Sequence, residues 1–299
     1  MKFSMQLFGL TAEEYLPLVE RAEQLGFECV WLADHVVTPL AFEKKYPYSA
    51  SGDPGFRPET QLTDVAVTLG FLAGRTNQIR LGTGVFVLPM RNPFHVARSW
   101  AALQNLSRGR AVFGVAAGWM EEEFQAVGMD FVDRGSRTDE MLDVLALLWS
   151  GEPVEFHGTH FDFGEVHFAG APNWPVPLVF GGHAGSALRR AAARGSGWFG
   201  PNLDLADSLA LTSRLDRLRA EAGRGEEPFD HYVRLFGDIT PRAIRRYEDA
   251  GYEHLVFSPF NRLPANSSLG DKLDALEQAV VDLGPVWEPY APADEASPR

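Results

Sequence analysis

The sequence predicts an α/β fold of the (β/α)8 TIM-barrel class, carrying insertion loops. Three observations lead there. Short β-branched or apolar runs alternate with longer segments of helical period, the pattern of βαβ units and a parallel sheet. Eight such runs fit within the 299 residues, a length that single α/β barrels commonly reach. The turn after the first run reads Phe8-Gly9-Leu10-Thr11, without the G-x-G-x-x-G that marks an open dinucleotide-binding sheet.

Taken in order, the runs are Lys2 to Phe8, Cys29 to Asp34, Ile79 to Val85, Ala111 to Ala116, Pro177 to Phe180, Trp198 to Phe199, Tyr232 to Phe236 and His254 to Ser258. The helix after the first opens on Thr11-x-x-Glu14, a capping box. Leu16, Val19, Ala22 and Leu25 form its inward stripe, and Gly26 stops it. A later helix opens on Thr240-Pro241, a capping hydroxyl before a proline at the first helical position. Ile244, Tyr247 and Ala250 point inward there, and Gly251 ends it. No linker composition divides the chain, so residues 1–290 are expected to form one domain, with 291–299 a polar, disordered tail.

Three connections are long: Val36 to Thr60, Gly118 to Arg134, and Gly151 to Trp174, the last with the look of a two-stranded excursion. Long loops in a compact domain are commonly lids or binding loops. Their aromatic residues, Tyr46, Tyr48, Phe156, Phe161, Phe163 and Phe168 among them, are candidates to cover a flat heterocycle or simply to plug the barrel.

Composition excludes some functions. A net charge of −13 without a basic stripe repels a phosphate backbone, so nucleic acid is not an expected partner. No window approaches the roughly 20 apolar residues of a membrane helix, and no secretory signal is visible, so a cytoplasmic location is expected. Cys29 is the lone cysteine, and within its apolar run it reads as a buried thiol. His157, His160 and His167 lack a third ligand at a dependable spacing, so no metal is expected. The G-x-S-x-G elbow, the Walker loop and H-E-x-x-H are absent, which removes the usual support for hydrolase, P-loop and zincin chemistry.

A barrel carries its chemistry on the loops that follow the strands. The second strand ends Ala33-Asp34-His35, and because successive side chains alternate, one of Asp34 and His35 can face the mouth. An imidazole titrates near neutrality and can handle a proton, while a neighbouring carboxylate can orient it. The third strand carries Gly82 and Gly84 before Val85 and Phe86. Glycines there mark a bulge or the close approach of a ligand or a neighbour. The fourth ends Ala116-Ala117-Gly118-Trp119, a tip with little side chain, followed by Glu121, Glu122 and Glu123 at a helix start. The fifth ends Gly181-Gly182-His183-Ala184-Gly185-Ser186 before Arg189 and Arg190. A glycine-rich turn opening a helix presents bare N–H groups to an anion, phosphate above all, and Ser186 and either arginine can add to it. Strand tips of glycine and alanine would let a planar ring lie against bare backbone.

These residues resemble a known family. Ala22-Glu-Gln-Leu-Gly-Phe-Glu-Cys-Val-Trp-Leu-Ala-Asp-His35, Leu81-Gly-Thr-Gly-Val85 with Leu88-Pro-x-Arg-Asn-Pro93, Leu106-Ser-Arg-Gly-Arg110 with Gly114 to Trp119, and Phe180-Gly-Gly-His183 are similar to the luciferase-like monooxygenase superfamily. Tyr46-Pro-Tyr48 and Arg134-Gly-Ser-Arg137 before Asp139-Glu140 resemble its coenzyme F420-dependent branch. The resemblance implies a barrel of the bacterial-luciferase kind, a homodimer, and F420 or alternatively FMN bound in the mouth beside a small-molecule substrate. It implies a non-prolyl cis peptide at Gly84-Val85 supporting the ring. Gly84, Val85, Phe86, Ala117, Gly118, Trp119, Gly181, Gly182, His183 and Ser186 would then bind the cofactor, and His35 and Asp34 would act on the substrate. In the sugar-phosphate dehydrogenases of that branch a glutamate after the fourth strand assists the histidine. Trp119 stands in its place here, which speaks against a glucose-6-phosphate activity, and Gly195-Ser-Gly-Trp198 departs from the usual Gly-Asp-Gly-Trp. Two other readings stay open: an FMN-dependent monooxygenase using dioxygen, and a catalytically silent flavin-binding barrel.

Overall fold

The computed structural model describes residues 1–41, 46–49, 51–235, 239–264 and 266–292. Phe236, the expected end of the seventh run, and residues 293–299 of the tail lie outside them. The elements in chain order are β1 (Lys2–Leu7), α1 (Ala12–Leu25), β2 (Cys29–Leu32), α2 (Val65–Ala73), β3 (Arg80–Thr83), β4 (Phe86–Val87), α3 (Pro93–Leu106), β5 (Ala111–Ala116), α4 (Glu121–Ala126), α5 (Arg134–Leu148), β6 (Pro153–His157), β7 (Asp162–His167), β8 (Leu178–Gly181), α6 (Gly185–Arg194), β9 (Gly197–Leu203), α7 (Leu205–Glu221), β10 (Asp230–Leu235), α8 (Pro241–Asp249), β11 (His254–Phe257) and α9 (Leu269–Leu283).

Neighbouring strands run β3-β2-β1-β11-β10-β9-β8-β5-β4, all parallel, and β3 also pairs with β5, which closes the sheet. Because β3 and β4 are the two halves of one interrupted strand, the barrel has eight staves, as expected. The interruption is the bulge at Gly84 and Val85, whose peptide bond is cis. Strand β9 extends over Gly197–Leu203, far beyond the Trp198 to Phe199 expected from sequence. Its Gly200-Pro201-Asn202 looks like a loop and is held as a strand only by pairing with β10.

Helix α1 starts as its capping box predicts, with the Thr11 N–H donating to Glu14 at 2.9 Å. Its buried stripe, however, is Tyr15, Leu18, Val19 and Ala22, while Leu16 and Leu25 are half-buried. The stripe is rotated by about one residue because a helical side chain leans toward the N-terminus and covers the turn before its own Cα. Helix α8 follows expectation: the Thr240 side chain accepts from the Ala243 N–H, and Ile244 and Tyr247 are buried. The third long connection forms the antiparallel hairpin β6–β7.

Two apolar layers hold the barrel. The larger lies between strands and helices, and the smaller fills the lumen with Cys29, Trp31, Val112, Val179, Phe199, Tyr232 and Val256. Below this plug the strand starts carry a buried ionic network, in which His254 touches Glu28 at 2.8 Å and Asp230 at 3.4 Å. Arg80 donates to the Tyr232 hydroxyl at 2.8 Å, which in turn donates to Asp230 at 3.0 Å. Plug and network fill the N-terminal part of the lumen, so a cavity within the barrel opens at the C-terminal ends of the strands. No described helix is long and apolar enough to cross a membrane.

Candidate active site

A cavity of about 1990 Å3 occupies that C-terminal end, larger than the roughly 300–1,000 Å3 of an ordinary ligand pocket. Its wall includes His35, Gly84, Val85, Ala117, Gly118, Trp119, Gly181, Gly182, His183 and Ser186. Residues from four separate stretches of sequence therefore converge on one space.

His35 and Asp34 take different roles, as alternation along a strand requires. The His35 side chain is 10% exposed, and its Nδ1 lies 2.9 Å from Oε2 of Glu123, itself 2% exposed. Oε1 of Glu123 accepts from the Val36 N–H at 2.6 Å, so one buried carboxylate fixes both the imidazole and the backbone that bears it. An ionised carboxylate only accepts, so Nδ1 carries the hydrogen of this bond and Nε2 is the nitrogen turned away from Glu123. The rings of Phe56 and Trp119 stand 5.0 and 6.5 Å from the imidazole.

Asp34 does not act as the orienting carboxylate the sequence suggests. Its Oδ2 accepts from the Val87 N–H at 2.8 Å and its Oδ1 from Arg91 at 2.6 Å. It therefore clamps the far side of the bulge. Burial pushes its carboxyl up from the usual range, opposed chiefly by the Arg91 charge.

The strand-tip glycines also behave differently from expectation. A Cβ on Gly82 would meet Trp31 at 2.6 Å, one on Gly84 would meet Phe199 at 3.0 Å, and one on Gly181 would meet Val85 at 2.8 Å. On Gly114 it would lie 1.8 Å from the Thr83 carbonyl oxygen. Gly82 and Gly114 therefore make room for the bulge and the lumen plug, whereas Gly84 and Gly181 fit closely against those neighbours and also line the cavity wall. Gly182, at φ +110, does border the cavity, with the Tyr48 hydroxyl 2.8 Å from its absent Cβ. Phe86 is a correction as well. It is buried away from the cavity against Trp100 and Phe113, and Val87 lines the cavity where Phe86 was expected.

Residues 5–268 match the family described as "Luciferase-like monooxygenase". The chain belongs to the luciferase-like monooxygenase family. An uncharacterized protein of Mycobacterium tuberculosis is 32% identical over 266 residues, 88% of this chain and 92% of its own length. The F420-dependent glucose-6-phosphate dehydrogenase of Kineococcus radiotolerans is 27% identical over 240 residues, 76% of this chain and 66% of its own length. Among solved structures, an F420-dependent secondary alcohol dehydrogenase in complex with an F420-acetone adduct superposes with a TM-score of 0.76 at 18% identity, covering 94% of this chain and 98% of that one.

The cavity wall also carries charge. Arg134 and Arg190 both line the cavity near the start of α6. Arg190 is held by Asp139 at 2.7 and 2.9 Å, and Arg134 donates to the carbonyls of Gly118 and Phe131. Of the two arginines following the glycine turn, it is Arg190 and not Arg189 that reaches this wall. His183 is half-buried, and burial lowers its basicity. Its Nε2 is buried without a hydrogen-bond partner among the described residues.

Of the long loops, the first supplies Tyr46, Tyr48 and Phe56 and the second Trp119 and Arg134. Burial pushes the Tyr48 phenol up to about 12. The third loop does not reach the cavity. Phe163 packs on Phe94, and Glu140 accepts from the N–H groups of Thr159, His160 and Phe161, anchoring the hairpin to α5. Sequence reasoning noted Glu123 only as an acid at a helix start. Its position three residues into α4 with Phe124 buried beside it is the one signal that it turns inward.

Proposed function

We propose that this protein is an F420-dependent oxidoreductase acting on a small organic substrate, with His35 as the residue that takes or gives the accompanying proton. The observation that carries this reading is the His35–Glu123 pair at 2.9 Å, set in a cavity above the Gly84–Val85 bulge. Bound F420 would supply the hydride chemistry, as cofactors do.

The donor set fits such a group. Gly84, Val85, Ala117, Gly118 and Trp119 offer backbone and one broad ring beside the bulge. Gly181, Gly182, His183 and Ser186, with Arg134 and Arg190, suit an anionic tail at the start of α6. The unpartnered Nε2 of His183 can accept a hydrogen bond from a hydroxyl or N–H of the tail. His35, with Nδ1 held by Glu123, presents Nε2 to the substrate, and Trp119 and Phe56 limit water around it. The F420-dependent dehydrogenases among the relatives named above support F420 as the cofactor.

Titrating the purified protein separately with F420 and with FMN tests the cofactor. Binding of F420 is expected, and tight FMN binding with none for F420 would replace this reading by the FMN monooxygenase. His35→Ala should lower turnover about 10²- to 10⁴-fold. Unchanged turnover and pH profile would favour a catalytically silent barrel.

We further propose a cytoplasmic homodimer using the outer face of α2 and the end of α3, where Val67, Phe71 and Leu106 are 73%, 52% and 67% exposed. Phe71→Glu should then yield monomer by light scattering, and an unchanged mass in solution would reject that surface.

A further inference from the structure

The cavity contains a cation that the cofactor reading does not use. Arg234 projects from β10 into the lumen, two residues beyond the plug residue Tyr232, and lines the cavity floor. Its Nη1 donates to Oδ1 of Asn202 at 2.7 Å. Among the described residues that neutral amide is its only hydrogen-bond partner, and none of them forms an ion pair with it. Arg80, Arg91 and Arg190, by contrast, each meet an acid in Glu28, Asp34 and Asp139. Burial lowers the basicity of Arg234, and the Tyr46 phenol opposes this.

An unmatched buried cation is costly, and a protein keeps one in a cavity when a ligand supplies the counter-charge. The surroundings are arranged to hold it there. Asn202 sits in the left-handed region at φ 50, a conformation that asparagine tolerates better than most residues. Its Nδ2 donates to the Tyr48 carbonyl at 3.2 Å, which turns its oxygen toward the guanidinium. Past Arg234 the wall carries Leu203, Leu211, Ile239, Phe257 and Phe260, with Asp204, Ser258 and Gln278 among the polar residues between them. The cavity volume leaves room for a second ligand beside a cofactor.

We propose that Arg234 is a specificity-determining residue that binds the carboxylate of an aliphatic acid substrate, whose hydrocarbon body lies in the apolar bay between the ends of β9, β10 and β11. The inference deepens the oxidoreductase reading and rests on it for placing this substrate in the cavity that holds His35. A guanidinium matches a carboxylate in a two-pronged geometry that lysine cannot reproduce.

Calorimetric titration of wild type, Arg234→Met and Arg234→Lys with decanoate and with decan-1-ol tests the idea, each protein first being titrated with F420. Wild type should bind decanoate, Arg234→Met should bind it about 10- to 100-fold more weakly, and Arg234→Lys should fall between them. Decan-1-ol should bind all three alike, which also shows that the bay is intact. Absence of decanoate binding by wild type, or an equal loss for acid and alcohol, overturns the proposal. So does loss of F420 affinity in Arg234→Met, because Arg234 would then belong to the cofactor. If F420 fails to bind wild type while decanoate still discriminates the variants, the cofactor reading falls and the carboxylate site stands.

Discussion

Replacing Glu123 by glutamine probes the His35 site most directly, because shape is kept while the carboxylate that touches the imidazole among the described residues is removed. In the native protein Oε2 of Glu123 meets Nδ1 of His35 at 2.9 Å and Oε1 accepts from the Val36 N–H at 2.6 Å. In Glu123→Gln the amide oxygen can still serve Val36, but the amide nitrogen carries only donors, so Nδ1 must become an acceptor and the ring proton moves to Nε2. The group facing the substrate then changes from acceptor to donor. A charge-assisted bond is worth about 1.5–3 kcal/mol and a neutral one about 0.5–1.5 kcal/mol, so stability should fall by roughly 1–1.5 kcal/mol. Turnover should fall much further, by about 10²-fold or more, since the proton-handling atom is in the wrong state. Long-range 15N correlation spectra of the imidazole read the tautomer, urea unfolding reads stability, and single-turnover kinetics with F420 read the chemistry. A variant with the Nε2–H tautomer and full turnover would show that His35 does not handle the proton.

Other consequences can be checked without knowing the substrate. Asp34→Ala should cost about 3–5 kcal/mol in urea unfolding, because it leaves Arg91 without its acid and the Val87 N–H without its acceptor; a loss below about 1 kcal/mol would mean that the clamp is dispensable. Gly114→Ala places a Cβ 1.8 Å from the Thr83 carbonyl and should destabilise by about 3 kcal/mol or more, measured as a lowered Tm, and an unchanged Tm would contradict the close approach described. The ionic network below the plug makes stability depend on pH. His254 is raised from 6.5 to about 9 by Asp230 and Glu28 against its own burial, so its contribution is complete below about 6.5 and is lost as pH climbs through 9. Asp230 is depressed from 3.8 to about 2, because the His254 and Arg80 interactions outweigh burial, so its contribution is complete above about 3.8 and is lost as pH falls through 2. Denaturation midpoints should therefore be highest between those limits, and His254→Gln should flatten the alkaline limb; an unchanged limb would assign it to other groups.

Several features were decided locally and were legible in the residues themselves. The alternation of apolar runs with helical segments dictates a parallel barrel because each strand needs both faces covered. The Thr11 and Thr240 caps act within one turn of chain. The position of His35 at a strand end follows from the same local rules, and so does the bulge marked by Gly84. What the sequence could not carry were the partnerships across the barrel. Asp34 and His35 are adjacent, yet their carboxylate partners and roles diverge because each meets a different distant element, Arg91 and Val87 for one and Glu123 for the other. Gly82 and Gly114 look like space left for a ligand, but the atoms that fill that space come from Trp31 and Thr83. The aromatic residues of the β6–β7 hairpin look like a lid and instead pack on α3 and α5. Periodicity reports which face of an element is apolar and says nothing of which element it will face. Contacts between residues far apart in the chain exist only once the sheet has closed, and at this site those contacts decide that Glu123 meets His35, that Asp34 holds Arg91 and Val87, and that Asn202 meets Arg234.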